Sequence, residues 1–457
     1  MLFEIIRSEG LSHNSYLIGS QGKAAVIDPR RDCEIYTEIA YRADMAITHI
    51  FETHRNEDYC IGSLELAAQS GAEIYHGSQL PFVYGRPLHD GDCFKLGNLE
   101  LTILETPGHT EESVSILLTD HEVSPEPYMI FCGDTLFAGD IARTDFFGRE
   151  RYAEMAGKIY DSISRKIIPL GDGVIVCPAH GAGSVCGGNI ADHSLTTIGY
   201  ERKTNHNLTI GREEFIKKRS GESPYTPPYF RRMEMCNLNG PAILSQIPRP
   251  PHLSIGQINE FIYQGAQLLD IRSPISFASG HIPDSLSIWR DGVPAFAGWY
   301  LGYDSPIVII DDFNLDPEDI VRWLIRLGYD NIAGFLAGGF AAWFKGAQKT
   351  VSFGTCTVQQ LYERLQTESL FILDVRDIKN FSSVGHINGA HQIYVGELPQ
   401  HIHNLPKNRW IVVICDTGFK GSLAASFLQK NGFSRITNIL GGMTAWINAG
   451  FPVEKLP

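Results

Sequence analysis

The chain is 457 residues long, room for two to four domains at roughly 150 residues each, and far beyond a small disulfide-stapled scaffold. Its 43% hydrophobic, 11% aromatic and 20% charged residues exclude a disordered or fibrous chain. With 38 Lys and Arg against 52 Asp and Glu the net charge is −14, which repels nucleic acid phosphates and anionic membranes, so neither is expected as a partner.

The opening residues, Met1 to Glu9, carry charges where a secretory leader needs an apolar stretch, and no later apolar run approaches 18 residues, so a cytoplasmic protein is expected. Short apolar runs at 15–18, 24–27 and 45–51 read as strands, the second closing on Asp28-Pro29, and 61–70 reads as a helix. Further strands are expected at 99–104, 114–118, 129–132 and 173–177, which makes the first half a strand-rich α/β domain. Pro-rich sequence then culminates in Ile247-Pro248-Arg249-Pro250-Pro251, which cannot enter a helix or sheet interior and marks a boundary.

Beyond it the chain repeats itself. Leu268-Leu269-Asp270-Ile271-Arg272 returns as Ile372-Leu373-Asp374-Val375-Arg376, and Phe277 to Ile282 as Phe381 to Ile387. Ile307 to Asp311 answers Ile411 to Cys415, and Gly338-Gly339 with Trp343 answers Gly441-Gly442 with Trp446, at offsets of 103 to 105 residues. Each copy alternates buried strands with helices, at 320–327 and 422–431 for example, which argues for two small doubly wound α/β domains. Domains are therefore expected at 1–238, 252–348 and 352–457. The nine cysteines are odd in number and lack C-x-x-C spacing, so most should be free, buried thiols.

Four apolar runs of the first domain end in metal-ligand residue types: Thr53-His54-Arg55-Asn56-Glu57-Asp58-Tyr59, Thr106-Pro107-Gly108-His109-Thr110, Cys132-Gly133-Asp134-Thr135 and Cys177-Pro178-Ala179-His180-Gly181. Strand ends can aim such side chains into one cleft. In order and local context these motifs resemble the metallo-β-lactamase superfamily, which implies an αββα sandwich over roughly residues 1–235. The resemblance includes a departure: the superfamily's two-metal hydrolases carry T-H-x-H-x-D-H, and here Asn56 and Tyr59 stand where the second and third histidines would be. His54, His109 and Asp134 survive, a two-histidine, one-carboxylate set that suits Fe(II) and leaves positions open for oxygen and substrate.

This subset is similar to that of the superfamily's persulfide (sulfur) dioxygenases, and Ala142-Arg143-Thr144-Asp145-Phe146 further resembles that branch. The resemblance implies one Fe(II) per chain on His54, His109 and Asp134, with Asp58, Tyr59 and His180 orienting ligands or water behind it. It also implies Arg143 near the substrate's tail, and excludes Asn56 as an iron ligand. Zinc is the alternative metal, in a glyoxalase II-type thioester hydrolase whose second ion would sit on Asp58, Asp134 and His180.

The repeated units resemble rhodanese domains through D-[IV]-R, F-x-x-G-H-I and the G-G-x-x-x-W close. The second copy carries Cys415-Asp416-Thr417-Gly418-Phe419-Lys420-Gly421 between a strand and a helix, so Cys415 is expected to be the nucleophile and the six residues after it the substrate loop. Backbone amides there are expected to lower the thiol pKa and cradle a persulfide. Lys420 stands where the family usually has arginine, replacing a bidentate contact by a point charge. The first copy has Asp311 at the cysteine position, followed by an acidic loop including Asp312 and Asp316, and should be inactive. His281 and His386 are expected to be structural.

Together these readings describe a fusion enzyme of sulfide or thiosulfate metabolism. It would oxidise a glutathione or coenzyme A persulfide with O2 to sulfite, and transfer sulfane sulfur at Cys415 to or from thiosulfate or a persulfide. A non-catalytic sulfur carrier is the remaining alternative, and the spare domain copy suggests a homo-oligomer.

Overall fold

Strands β1 (Leu2–Ser8), β2 (His13–Ser20), β3 (Lys23–Ile27), β4 (Ala46–Phe51), β5 (Glu73–Gly77) and β6 (Arg86–Leu88) pair in that order into one sheet. A second sheet runs β12 (Thr196–Thr197), β11 (Ile175–Pro178), β10 (Met129–Gly133), β9 (Val114–Asp120), β8 (Leu99–Glu105), β7 (Cys93–Leu96). Side chains alternate across a strand, and that period sets the layers. Tyr16, Ile18, Ala25 and Ile27 share one core with Ile103, Ile116 and Phe131 of the second sheet. The intervening Leu17, Ala24 and Val26 pack instead with residues of helices Glu34–Arg42 and Ser63–Ser70. Leu117, Ile130 and Val176 do the same toward Ala156 and Ile159 of helix Tyr152–Ser162. The result is the expected αββα sandwich.

The computed structural model describes residues 1–312 and 318–455. By internal contacts the chain divides into two units, 1–247 with 325–328, and 248–324 with 329–457. The second unit holds two parallel sheets of matching order: β13 (His252–Leu253), β17 (Ile332–Leu336), β16 (Ile307–Ile310), β14 (Gln267–Asp270), β15 (Leu286–Ser287), and then β18 (Gly354–Cys356), β22 (Ile436–Ile439), β21 (Ile411–Ile414), β19 (Phe371–Asp374), β20 (His391–Gln392). The repeat is structural as well as sequential. Buried ion pairs Arg272–Asp270 and Arg376–Asp374, both 2.7 Å, tie the same strand end in each copy.

Several boundaries move. The helix expected from residue 61 starts at Ser63, the strand expected at 173–177 is Ile175–Pro178 because a turn occupies 171–173, and the helix expected from 422 starts at Phe419. Helices Tyr152–Ser162, Ile198–Thr204, Arg212–Ser220 and Phe230–Asn239 were not expected; the last two have highly polar surfaces that hide their few buried anchors, such as Phe215 and Phe230. Residues 313–316 of the acidic loop expected after Asp311 lie outside the described residues. His281 and His386 are structural, each stacked 3.8 Å from the phenylalanine of its own motif, Phe277 and Phe381.

Candidate metal centre and sulfur-transfer loop

The four ligand-bearing motifs follow β4, β8, β10 and β11, and their strand ends bring His54, His109, Asp134 and His180 together, each 2% exposed or less. Asp134 can turn inward because Gly133 before it has φ +53°, with Thr53 so close behind that a side chain at 133 would collide with its hydroxyl. Asp134 Oδ2 lies 3.5 Å from His109 Nε2 and 3.8 Å from His54 Nε2. Ligands bonded at roughly 2.0–2.2 Å to one ion stand at about such separations.

The far nitrogens of both rings are already committed. Thr53 Oγ1 donates to Asp28 Oδ2 at 2.7 Å and so accepts from His54 Nδ1–H at 3.0 Å. His109 Nδ1 lies 2.9 Å from the Arg143 carbonyl, which can only accept. Both rings therefore present Nε2 to the cleft, the tautomer a metal requires. Burial draws the His54 imidazole down to about 3, against the attraction of Asp134, so it stays neutral and available. His109 is drawn down by burial too, but the Glu57 and Asp134 carboxylates lift it to about 9, the mark of a basic nitrogen holding a proton where a cation belongs.

Asp134 Oδ1 accepts from His180 Nδ1 at 2.7 Å, and His180 Nε2 lies 2.9 Å from Asp58 Oδ2. Burial opposes a charge on His180, but Asp134 and Asp58 hold its pKa well above the ordinary histidine range. His180 thus bridges Asp134 and Asp58. Tyr59 packs on His13, ring centroids 4.0 Å apart, and its buried hydroxyl finds no hydrogen bond among the described residues. Asn56 contributes Nδ2 to the His54 carbonyl at 3.3 Å. Arg143 is beside the site, but its guanidinium is bound by Asp145 at 2.6 and 2.7 Å and by Thr226 at 2.9 Å.

Several buried atoms converge here without hydrogen-bond partners among the described residues: His109 Nε2, Asp134 Oδ2, Glu57 Oε2, Asp58 Oδ1 and His180 Nε2. Some are only 2.9 Å from an opposite charge, yet out of line for a hydrogen bond. Orphaned donors and acceptors of this kind are costly unless an ion completes them, so the residues present fit a metal. Among the described residues three groups of three ligand atoms, His54–Glu57–His109, Asp58–His180–Cys186 and His109–Asp134–Cys186, are each mutually within 4.8 Å. Glu57, Cys186 and His13 were missed by sequence reasoning. Glu57 occupies an unconstrained place between Asn56 and Asp58, and Cys186 lies in a loop with no periodic signal. His13 is at the start of an apolar strand, where a histidine reads as packing.

In the second unit Cys415 ends β21, fully buried, and its Sγ accepts from the amides of Gly418 (3.1 Å) and Gly421 (3.3 Å) at the start of helix Phe419–Lys430. The expected lowering of its pKa is corrected here. Burial penalises the thiolate more than the amides of Gly421, Gly418 and Thr417 and the Lys420 cation favour it, and the thiol is raised. Lys420 is moreover paired with Asp416 at 2.7 Å. The first copy has Asp311 where the second has Cys415, and it packs on the helix that follows the cysteine loop. The Ser287 amide donates to Ser426 Oγ at 3.0 Å and its hydroxyl meets Ser422 Oγ at 2.9 Å, while Trp289 packs on Phe419 of the cysteine loop with centroids 5.2 Å apart.

Comparison with known proteins identifies the domains that carry these two sites. Residues 9–180 match the metallo-beta-lactamase superfamily, and residues 256–345 and 357–449 each match the rhodanese-like domain. The mitochondrial persulfide dioxygenase ETHE1 of Bos taurus is 31% identical over 213 residues, 44% of this chain and 74% of the relative. The hydroxyacylglutathione hydrolase GloC of Haemophilus influenzae is 29% identical over 228 residues, 45% of this chain and 97% of the relative. A crystal structure described as a metallo-beta-lactamase from Staphylococcus aureus has 32% identity and a TM-score of 0.66, covering 74% of this chain and 98% of its own.

Proposed function

Because the chain belongs to the metallo-beta-lactamase superfamily and carries two rhodanese-like domains after it, we propose that it is an iron-dependent persulfide dioxygenase joined to a sulfurtransferase. One observation carries the reading: His54 Nε2, His109 Nε2 and Asp134 Oδ2 converge in a buried cleft, while Asn56 and Tyr59 stand where a two-zinc hydrolase would need imidazoles. The balanced reaction is R–S–SH + O2 + H2O → R–SH + SO3²⁻ + 2 H⁺. Bound Fe(II) would supply the electrons that let triplet dioxygen react with a singlet persulfide.

The protein's own part is geometric. The Thr53 hydroxyl and the Arg143 carbonyl fix the two imidazoles, and Asp58 and Asp134 can hold a proton on His180. At Cys415 the thiolate would attack the sulfane sulfur of thiosulfate, Cys–S⁻ + S–SO3²⁻ → Cys–S–S⁻ + SO3²⁻, with the Gly418 and Gly421 amides steadying the terminal sulfur. A low-molecular-weight thiol such as glutathione or coenzyme A, in the cytoplasm, would carry the persulfide between the two chemistries.

Oxygen consumption by anaerobically Fe(II)-loaded protein given glutathione persulfide, with metal content measured on the same sample, tests this. Uptake that requires iron supports it; zinc-bound protein with no uptake on either glutathione or coenzyme A persulfide overturns it. A second reading, a zinc thioester hydrolase, is favoured by the Asp58–His180–Cys186 group, which could take a second ion. Two zinc ions per chain and cleavage of an acylglutathione would establish that instead.

A further inference from the structure

Glu57 is a buried carboxylate that the triad does not use. It is 1% exposed, sits between Asn56 and Asp58, and places Oε1 2.9 Å from His109 Nε2, nearer than the 3.5 Å of Asp134. Its other oxygen, Oε2, is buried without a hydrogen bond among the described residues. One Glu57 oxygen, a His54 ring nitrogen and a His109 ring nitrogen are all within 4.8 Å of one another. Its neighbour across the cleft, Cys186, offers only a weak S–H contact at 3.9 Å.

A metal that takes His109 Nε2 removes the one strong contact of Glu57 Oε1. The carboxylate would then be a charge stranded in the interior, a costly state that binding the same ion abolishes. The neighbouring residue, Asn56, occupies the position of a lost imidazole and spends its amide on the His54 carbonyl. We infer that Glu57 is a fourth protein ligand of the metal, supplying through an adjacent residue the donor that Asn56 cannot.

The inference rests on the single-metal reading above and changes its stoichiometry of open positions. A two-histidine, one-carboxylate set on a six-coordinate ion leaves three positions free, whereas His54, His109, Asp134 and Glu57 leave two. Two carboxylates also neutralise a divalent ion. One free position suffices for the persulfide sulfur and one for oxygen, so water would be displaced from both when the substrates are in place.

The test reads coordination and affinity rather than turnover. Mn(II)-loaded wild-type protein in ¹⁷O-enriched water, examined by electron–nuclear double resonance, should show two bound waters. Glu57→Gln, checked by circular dichroism, should bind Co(II) roughly a hundredfold more weakly than wild type, with Glu57→Asp in between. Three waters on the wild-type ion, or Co(II) binding by Glu57→Gln within twofold of wild type, overturns the assignment. If Glu57 governs affinity and two waters are counted while the iron form consumes no oxygen on any persulfide, the ligand assignment stands and the dioxygenase reading falls.

Discussion

Arg143 reaches the metal cleft through its backbone: its carbonyl oxygen lies 2.9 Å from Nδ1 of His109, while its guanidinium points away into Asp145. The two functions are therefore separable by substitution. Arg143→Ala should leave metal content unchanged, because the carbonyl remains. It should destabilise the fold by about 2 kcal/mol through the partly buried Asp145 left unpaired, read as a lower urea midpoint at constant slope. Loss of metal together with stability would refute the division.

The two chemistries should also part cleanly. His109→Ala is expected to abolish oxygen uptake and lower metal affinity, with thiosulfate sulfurtransfer retained. Cys415→Ser should do the reverse. Paired oxygen-electrode and sulfurtransferase assays check this, and joint loss of both activities in either variant would argue for one shared site.

Proton and metal compete at His109. Its pKa in the metal-free fold is raised to about 9 from an ordinary 6.5. A raised base stabilises the metal-free fold fully below pH 6.5, and that contribution is lost as the pH climbs through 9. Metal affinity should run the other way, rising over this window with release of a proton. Calorimetric metal titrations in buffers of different ionisation enthalpy would count that proton; a pH-independent affinity would refute the competition.

Cys415 should be a slow thiol at neutral pH. Burial holds it up, so its alkylation by iodoacetamide, followed by peptide mass spectrometry, should accelerate as pH rises above the ordinary thiol value of 9.0. Lys420→Ala should slow it further at every pH, since the Lys420 cation favours the thiolate. Fast, pH-independent labelling near pH 7 would show that the amides outweigh burial after all.

What could be read from the chain tracks what is local. The sandwich, the duplicated sheets and the positions of His54, His109, Asp134, His180 and Cys415 follow from apolar runs ending in distinctive residues, a signal carried within a few positions. Glu57 and Cys186 carry no such signal, because they join the cleft only when a loop folds across it. The Cys415 thiol went the wrong way for a related reason. Its amide donors are written in the loop sequence, but the burial that outweighs them arises only when the end of β21 is enclosed in the folded domain. Two-residue strands such as β15 and β20 are set by partners rather than by their own composition.

The pairing of Ser287 with Ser422 and Ser426 bears on how such a duplication can be taken apart. Helix Phe419–Lys430, which anchors the sulfur loop, buries a surface of small residues, Gly421, Ser422, Ala424, Ala425 and Ser426. Its hydroxyls meet Ser287 of the copy that carries Asp311 at the cysteine position. The second copy is thus not a free-standing cassette: excised at residue 352, it would bare to water the small-residue helix face and more of the Phe419 ring, and a graft would need to bring the first copy along.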